Sequence, residues 1–265
     1  MVKSISKDMN SDGVMSEVDQ YGSLAEHHNS RMFLYASGIR TTTNDENGYP
    51  QLTLMENKDK TVDLYEKLKT VWTDADHVFC IDCANLTVPE GYAHKWSYCR
   101  YLFTQNLYLF HYTDESSGLY AFADMEAEFG LIPFPKYDKS QQTYKTIYPV
   151  NNMLFALPGN LQGENLERTA NIVEDMNYYS SFITVPAWFD TLMARRYVRD
   201  DESEATLRVL RNNYVYDLGL YYNFGGIRKI LDSEFHNGNI SQTYDSLKKS
   251  IELNIKTAYK KFTKS

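Results

Sequence analysis

The stretch Leu107-Tyr108-Leu109-Phe110-His111-Tyr112, with Ser117 to Phe129 and Gly130-Leu131-Ile132-Pro133-Phe134-Pro135 behind it, decides the fold class. The first six residues have the aromatic and aliphatic make-up of a buried strand. The middle segment has the length of a helix, and the last reads as a short strand closed by proline. Strand, helix and strand in this order form a βαβ-like unit, which places the chain among folds where sheet and helix share one core.

On the N-terminal side, Tyr92 to Phe103 sets Trp96, Cys99 and Phe103 at helical spacing, and Asp59 to Trp72 does the same with Val62, Tyr65, Leu68 and Trp72. Asn44-Asp45-Glu46-Asn47-Gly48 before Tyr49-Pro50-Gln51-Leu52-Thr53-Leu54 carries the Asn-Gly signature of a hairpin turn, and Leu24 to Ile39 reads as a helix ending near Gly38. On the C-terminal side, Asn151 to Leu157 reads as a strand, and Glu164 to Phe182 as a helix with Leu166, Ala170, Val173 and Met176 on one face. From Pro186 onward the pattern is almost wholly helical: Pro186 suits a first turn, and Ser203 to Tyr214 forms a helix begun by Asp200-Asp201-Glu202. Ile240 to Phe262 then sets Tyr244, Leu247, Ile251 and Ala258 on one face of a long terminal helix. Strands are few and short, so the class is α/β, helix-rich.

The chain has 265 residues, 43% hydrophobic and 23% charged, enough to bury the core of one large or two modest domains. A formal charge of -8 without a basic patch argues against nucleic acid, whose phosphates need clustered Lys and Arg, and leaves cations or neutral ligands as partners. The longest apolar runs, such as Met153 to Leu157, fall far short of the ~20 residues of a membrane helix, so no membrane insertion is expected. The first residues lack the apolar stretch of an export signal. Twenty-two tyrosines suit either binding surfaces or a half-buried core.

Asp8-Met9-Asn10-Ser11-Asp12-Gly13-Val14-Met15-Ser16-Glu17-Val18-Asp19 has the spacing of a calcium loop. A hard divalent cation takes six to eight oxygens from a curled backbone, and Asp8, Asn10 and Asp12 supply them at alternate positions. Gly13 allows the sharp turn, Val14 offers its carbonyl and Ser16 its hydroxyl. Asp19 stands where a longer Glu is usual, so Glu17 is a further candidate ligand. With a single such loop, a structural clamp is expected rather than a sensor. An Asx-turn loop without metal is the plain alternative.

Elsewhere the chemistry is sparse. Cys80-Ile81-Asp82-Cys83, with His94 and Cys99, has an irregular spacing that fits ordinary thiols better than zinc or a redox motif opening a helix. His27 and His28 are adjacent, and on a helix they would point apart. His77, His94, His111 and His236 are scattered, and no nucleophile, zincin, phosphate-loop or dinucleotide motif occurs, so no enzyme is expected. Tyr214 to Gly226 concentrates aromatics beside glycines and amides, which suits either sugar stacking or packing between helices.

Several segments, in order, resemble the later portion of an extracellular solute-binding protein of a bacterial ABC importer, of the carbohydrate-directed family 1 type found in Firmicutes. They are the Asp8–Asp19 loop with Gln20-Tyr21-Gly22, the Asp45-Glu46-Asn47-Gly48 turn, and Phe129-Gly130-Leu131-Ile132-Pro133-Phe134-Pro135-Lys136-Tyr137-Asp138. Val198-Arg199-Asp200-Asp201-Glu202-Ser203, Tyr216-Asp217-Leu218-Gly219 and Phe224-Gly225-Gly226 complete the set. The resemblance implies a periplasmic-binding-protein-like type II fold, here largely one lobe plus part of the hinge and other lobe. It implies a structural calcium, a carbohydrate or other small solute, delivery to an ABC permease, an extracellular lipid-anchored location and no catalysis. It also implies an N-terminal lobe and signal peptide before Met1, so residues 1-265 read as a partial protein. Trp188, Tyr221, Tyr222 and Phe224 are the expected ligand-binding aromatics, although relatives often carry Trp where Phe224 stands. A stand-alone calcium-dependent interaction or adhesion domain is the alternative.

Overall fold

The computed structural model describes residues 2–84, 86–113, 121–148, 156–193, 200–233 and 239–263. After a short helix α1 (Val2–Ile5), the strands β1 (Tyr21–Ala25), β4 (Val78–Cys80) and β5 (Tyr108–His111) form a parallel sheet in the order β4-β1-β5. Ser23 pairs with Val78 on one side of β1 and with Phe110 on the other. All five residues of β1 are buried, as expected of a central strand with both faces covered. Two crossovers build the sheet. The first runs through α2 (Asn29–Ala36), the hairpin β2 (Thr42–Asn44) and β3 (Pro50–Leu52), and α3 (Lys58–Trp72). The second is α4 (Lys95–Thr104).

The two crossovers feed different cores. Leu64, Tyr65, Leu68 and Trp72 of α3 pack with Val78, Cys80 and the C-terminal helices. Tyr98, Cys99 and Leu102 of α4 pack with Tyr21, Leu24, Phe79 and Tyr108. The helices therefore cover opposite faces of the sheet. After a short β6 (Thr146–Ile147), the helix α6 (Asp201–Arg211) buries Leu207 in a small separate cluster, whereas β7 (Tyr214–Val215), α7 (Leu218–Tyr222), α8 (Ile227–Leu231) and α9 (Ile240–Thr263) complete the first core. Between β6 and α6 lies α5 (Gly163–Phe182), which runs on through a turn at Thr184–Pro186 into a π-helical stretch, Ala187–Met193. None of the residues of α5 is buried.

Asp217 ties the C-terminal elements to the hairpin. Its buried carboxylate accepts from the backbone and hydroxyl of Thr41, the hydroxyl of Thr42 and the N–H of Gly219, all within 3.0 Å. Gly219 has no alternative there, since a Cβ would sit 2.2 Å from Thr41 Oγ1.

The chain is thus α/β and helix-rich, as expected, and α3, the hairpin, β5, α5, the Asp200-capped α6 and α9 fall where the patterns put them. Three expectations need correction, and one strand, Val78–Cys80, was not expected. Tyr21–Ala25 is a strand, and the helix of that region begins only at Asn29. Its Gly, Ser and Ala carry little strand propensity, but burial on both faces decides. Val78–Cys80, too short to show a period, is a strand as well. Tyr214 belongs to β7 rather than to the preceding helix. Phe122 to Pro135 runs without regular helix or strand. Part of the expected Ser117 helix, most of the Asn151 strand, Val198-Arg199 and His236 lie outside the described residues. Among the described residues no helix is long and apolar enough to cross a membrane.

Candidate functional site

In open parallel sheets, a crevice forms outside the carboxyl ends of two neighbouring strands whose following segments leave to opposite faces. Here β1 leads to α2 and α3 on one face, and its neighbour β4 leads to α4 on the other. The residues just past these ends, Glu26-His27-His28 after β1 and Ile81-Asp82-Cys83 after β4, concentrate polar and ionisable groups.

His27 and Asp82 join the two turns. One Asp82 oxygen accepts from the His27 backbone at 3.0 Å and faces its Nδ1 at 2.8 Å. This hydrogen bond raises the His27 pKa against the opposing effect of burial. Burial raises that of Asp82, but donation from His27 outweighs it and leaves the carboxyl below its ordinary value. Lys95 Nζ donates to the Ile81 carbonyl at 3.1 Å, which fixes the β4 turn to the start of α4.

Glu26 and His28 form the inner layer. Glu26 is 5% exposed, and burial pushes its pKa up to about 7 although Arg100 opposes the shift. His28 Nε2 lies 3.2 Å from the Glu26 carboxylate. Burial, then the cations Arg31 and His27, push His28 down to about 4. Between about pH 4 and about pH 7 both groups are therefore uncharged. Cys99 touches Glu26 from α4, and burial drives its thiol well above the ordinary range. Asn29 receives the Glu26 N–H at 2.7 Å, and Arg31 forms a two-point pair with Asp232, its Nε 2.7 Å from Oδ1.

An aromatic wall stands beside these groups. Trp96 is 46% exposed, its ring 6.0 Å from His28 and 5.1 Å from His94. The helical pattern puts Trp96, Cys99 and Phe103 on the inner face of α4; Cys99 is buried there as expected and Phe103 partly so, but Tyr98 and Leu102 join them while Trp96 turns outward. His27 and His28 are likewise not helical neighbours pointing apart: they lie in the turn before α2, with ring centroids 5.6 Å apart. The cysteines of the β4 turn are not free thiols, since Cys80 and Cys83 form a disulfide, and Cys99 remains a buried thiol.

The aromatics expected from sequence do not share one surface. Trp188 is half-buried with Phe129, Leu131, Phe189 and Leu207. Phe224 is buried in the main core, Tyr222 stacks on it with ring centroids 5.6 Å apart, and Tyr221 is half-buried. Sequence reading missed Glu26, His27, His28, Asp82 and Trp96 as a group. Only the adjacent histidines gave a signal.

In the Asp8–Asp19 loop, Asp8 accepts from the N–H groups of Ser11 (2.6 Å) and Gly13 (2.8 Å), while Asp12 accepts from that of Val14 (2.8 Å). Asn10 Oδ1 accepts from the Asp12 N–H at 3.0 Å. Gly13 has φ +81°, as the sharp turn demands. Asp19 is buried and closes the loop, accepting from Met9 N, Ser16 N and the Ser16 hydroxyl. Burial raises its pKa, but these donors outweigh burial and leave it lowered. Glu17 is half-exposed, and its carbonyl accepts from the Tyr108 hydroxyl. Among the described residues no group of three or more His, Cys, Asp or Glu side chains is placed to hold a metal ion. A cation here would depend on the Asn10 amide, the Val14 carbonyl and the Ser16 hydroxyl as well.

No family model matches the sequence, and neither a curated protein nor a solved structure matches it.

Proposed function

We propose that the chain binds a small hydroxyl-rich solute, a carbohydrate, in the crevice past the ends of β1 and β4, as the solute-binding part of an ABC importer. One observation carries the reading: a half-exposed indole, Trp96, stands beside buried and half-buried acceptors at the switch point of a parallel sheet. A sugar offers an apolar ring face to an aromatic plane and hydroxyls to carboxylates and imidazoles. Asp82 and His27 supply the polar half of that match, and Trp96 the apolar half.

The finer assignment follows the same line. The sheet with its opposed crossovers is read as a lobe of a type II periplasmic-binding-protein-like fold, a reading supported by the ordered sequence segments that resemble such proteins. The permease partner, the extracellular location and the Asp8–Asp19 calcium clamp belong to this proposal. The oxygen-only chemistry of Asp8, Asn10, Asp12, Val14 and Ser16 fits a hard cation such as calcium.

Titration with a panel of oligosaccharides, followed by Trp96 fluorescence and calorimetry, tests the reading. Binding with a dissociation constant of about 1 mM or tighter, worth roughly 4 kcal/mol, is expected, and Trp96→Ala should abolish it. An indole that stays unperturbed by every saccharide would refute it. The alternative, a calcium-dependent interaction domain, is favoured by the exposed Met176, Phe182 and Ile183 of the α5 region, each more than 60% accessible. A chain silent to sugars whose melting temperature rises with calcium would point that way.

A further inference from the structure

The turn that brings Asp82 to His27 is itself closed by a covalent bond. Cys80 ends β4 and is buried in the main core, while Cys83, three residues on, is exposed. Asp82 lies inside the ring that the disulfide closes, and its single oxygen holds both the backbone and the Nδ1 of His27. We propose that Cys80–Cys83 is a site of thiol–disulfide exchange with a dithiol, entered at Cys83, and that opening it loosens the grip of Asp82 on His27. The inference goes beyond solute binding and does not depend on it.

Access selects the direction of attack. Exchange requires an incoming thiolate to reach one sulfur of the bond in line, and only the Cys83 end faces solvent. The thiolate forms a bond to Cys83 Sγ as the Sγ–Sγ bond breaks, and Cys80 leaves as a thiolate that takes a proton from water. The second thiolate of the dithiol then attacks its own sulfur in the mixed disulfide. Cys83 leaves in turn and is protonated, and the reductant departs as a cyclic disulfide. Two electrons pass from the dithiol to the protein.

The turn survives opening, because Cys83 N and Ala84 N still donate to the Cys80 carbonyl and Ile81 N to the Ala25 carbonyl. What changes is the freedom of the Asp82 side chain and backbone within it. Around His27 the charged and titratable groups are Asp82, Asp232, Arg31, Glu26 and His28; His28 is uncharged where His27 titrates, so a loosened Asp82 leaves one cation, Arg31, the buried Glu26 and a more distant carboxylate. The His27 proton is then held less firmly.

Two measurements on the full chain test this. Under native conditions, maleimide should label no cysteine before reduction. After treatment with dithiothreitol it should label Cys83 about tenfold or more faster than Cys99, which is fully buried. By NMR titration, the His27 midpoint should fall by about half a pH unit or more on reduction, a change of about threefold in its proton affinity. The variant Cys83→Ser should show the low midpoint with or without dithiol. Labelling of Cys83 before any reductant, a disulfide that dithiothreitol leaves intact, or a His27 midpoint unmoved in the reduced protein would each overturn the proposal.

Discussion

Asp217 accepts both the backbone N–H of Thr41, at 2.7 Å, and its hydroxyl, at 2.6 Å, across a sequence separation of 176 residues. Through that carboxylate, the start of β2 and the start of α7 become one unit. Removing it strands several buried donors at once, which costs more than one average hydrogen bond. Asp217→Ala should therefore lower stability by about 3 kcal/mol or more, and Thr41→Val by about 1 kcal/mol. Urea unfolding followed by circular dichroism gives both values, and near-equal losses would show that the carboxylate does not act as the hub.

The buried pair Glu26 and His28 sets a pH dependence. The folded-state pKa of Glu26 is raised, so the folded chain holds this proton more tightly than the unfolded one. Its stabilising effect is complete below the ordinary glutamate pKa and is lost as pH rises toward about 7, a loss of roughly 3 kcal/mol. His28 runs the opposite way: its pKa is lowered, and stability falls as pH drops from the ordinary histidine value to about 4. Glu26→Gln should flatten the alkaline limb and leave the acid limb in place. Unfolding measured from pH 4 to 8 in both proteins decides the matter, and an unchanged alkaline limb would contradict the burial of an ionisable Glu26.

Calcium, if held by the Asp8–Asp19 loop, stabilises by mass action. At a hundredfold excess over its dissociation constant the gain is about 2.7 kcal/mol, or about 5 °C or more in Tm for a chain of this size. Asp12→Ala should abolish the rise without lowering the melting point measured in chelator by more than about 1 °C. Asp19→Ala should destabilise with and without calcium, because its buried carboxylate holds three donors of the loop itself. Differential scanning calorimetry with calcium and with chelator separates the two variants.

Two helices of similar length offer a contrast in surface chemistry. Ile251 and Ile255 of α9 are buried in the main core, whereas Ile172 and Met176 of α5 are more than half exposed. Ile251→Ala should cost about 2–4 kcal/mol, since a cavity replaces a buried side chain. Ile172→Ser and Met176→Ser should each change stability by no more than about 0.5 kcal/mol. A large loss at Met176 in thermal melts would mean that α5 is covered in solution.

Much of the fold was legible where local chemistry and tertiary burial agree. The apolar spacing of α3, the Asn-Gly turn of the hairpin and the Asp200 cap of α6 each specify their element locally. β1 was not legible, because Gly22, Ser23 and Ala25 owe their strand conformation to neighbours at residues 78 and 110. The cluster past the ends of β1 and β4 was hidden for the same reason. His27 and Asp82 stand 55 positions apart and meet only because β1 and β4 pair in register. Trp96 was visible as an aromatic at helical spacing, but the pattern could not tell that Tyr98 and Leu102 take the inner face.

The central place of β1 also bears on how the chain is made. During synthesis Tyr21–Ala25 emerges before either partner with both hydrogen-bonding edges bare, and its last partner, Tyr108–His111, follows only after roughly 5–15 s at usual elongation rates. A bare strand of this kind is a template for pairing with other chains, and its first shield is the β4 segment. The nascent protein therefore passes through an interval in which its most protected strand is its most vulnerable one, and slow elongation or crowded expression selects for aggregation at that point.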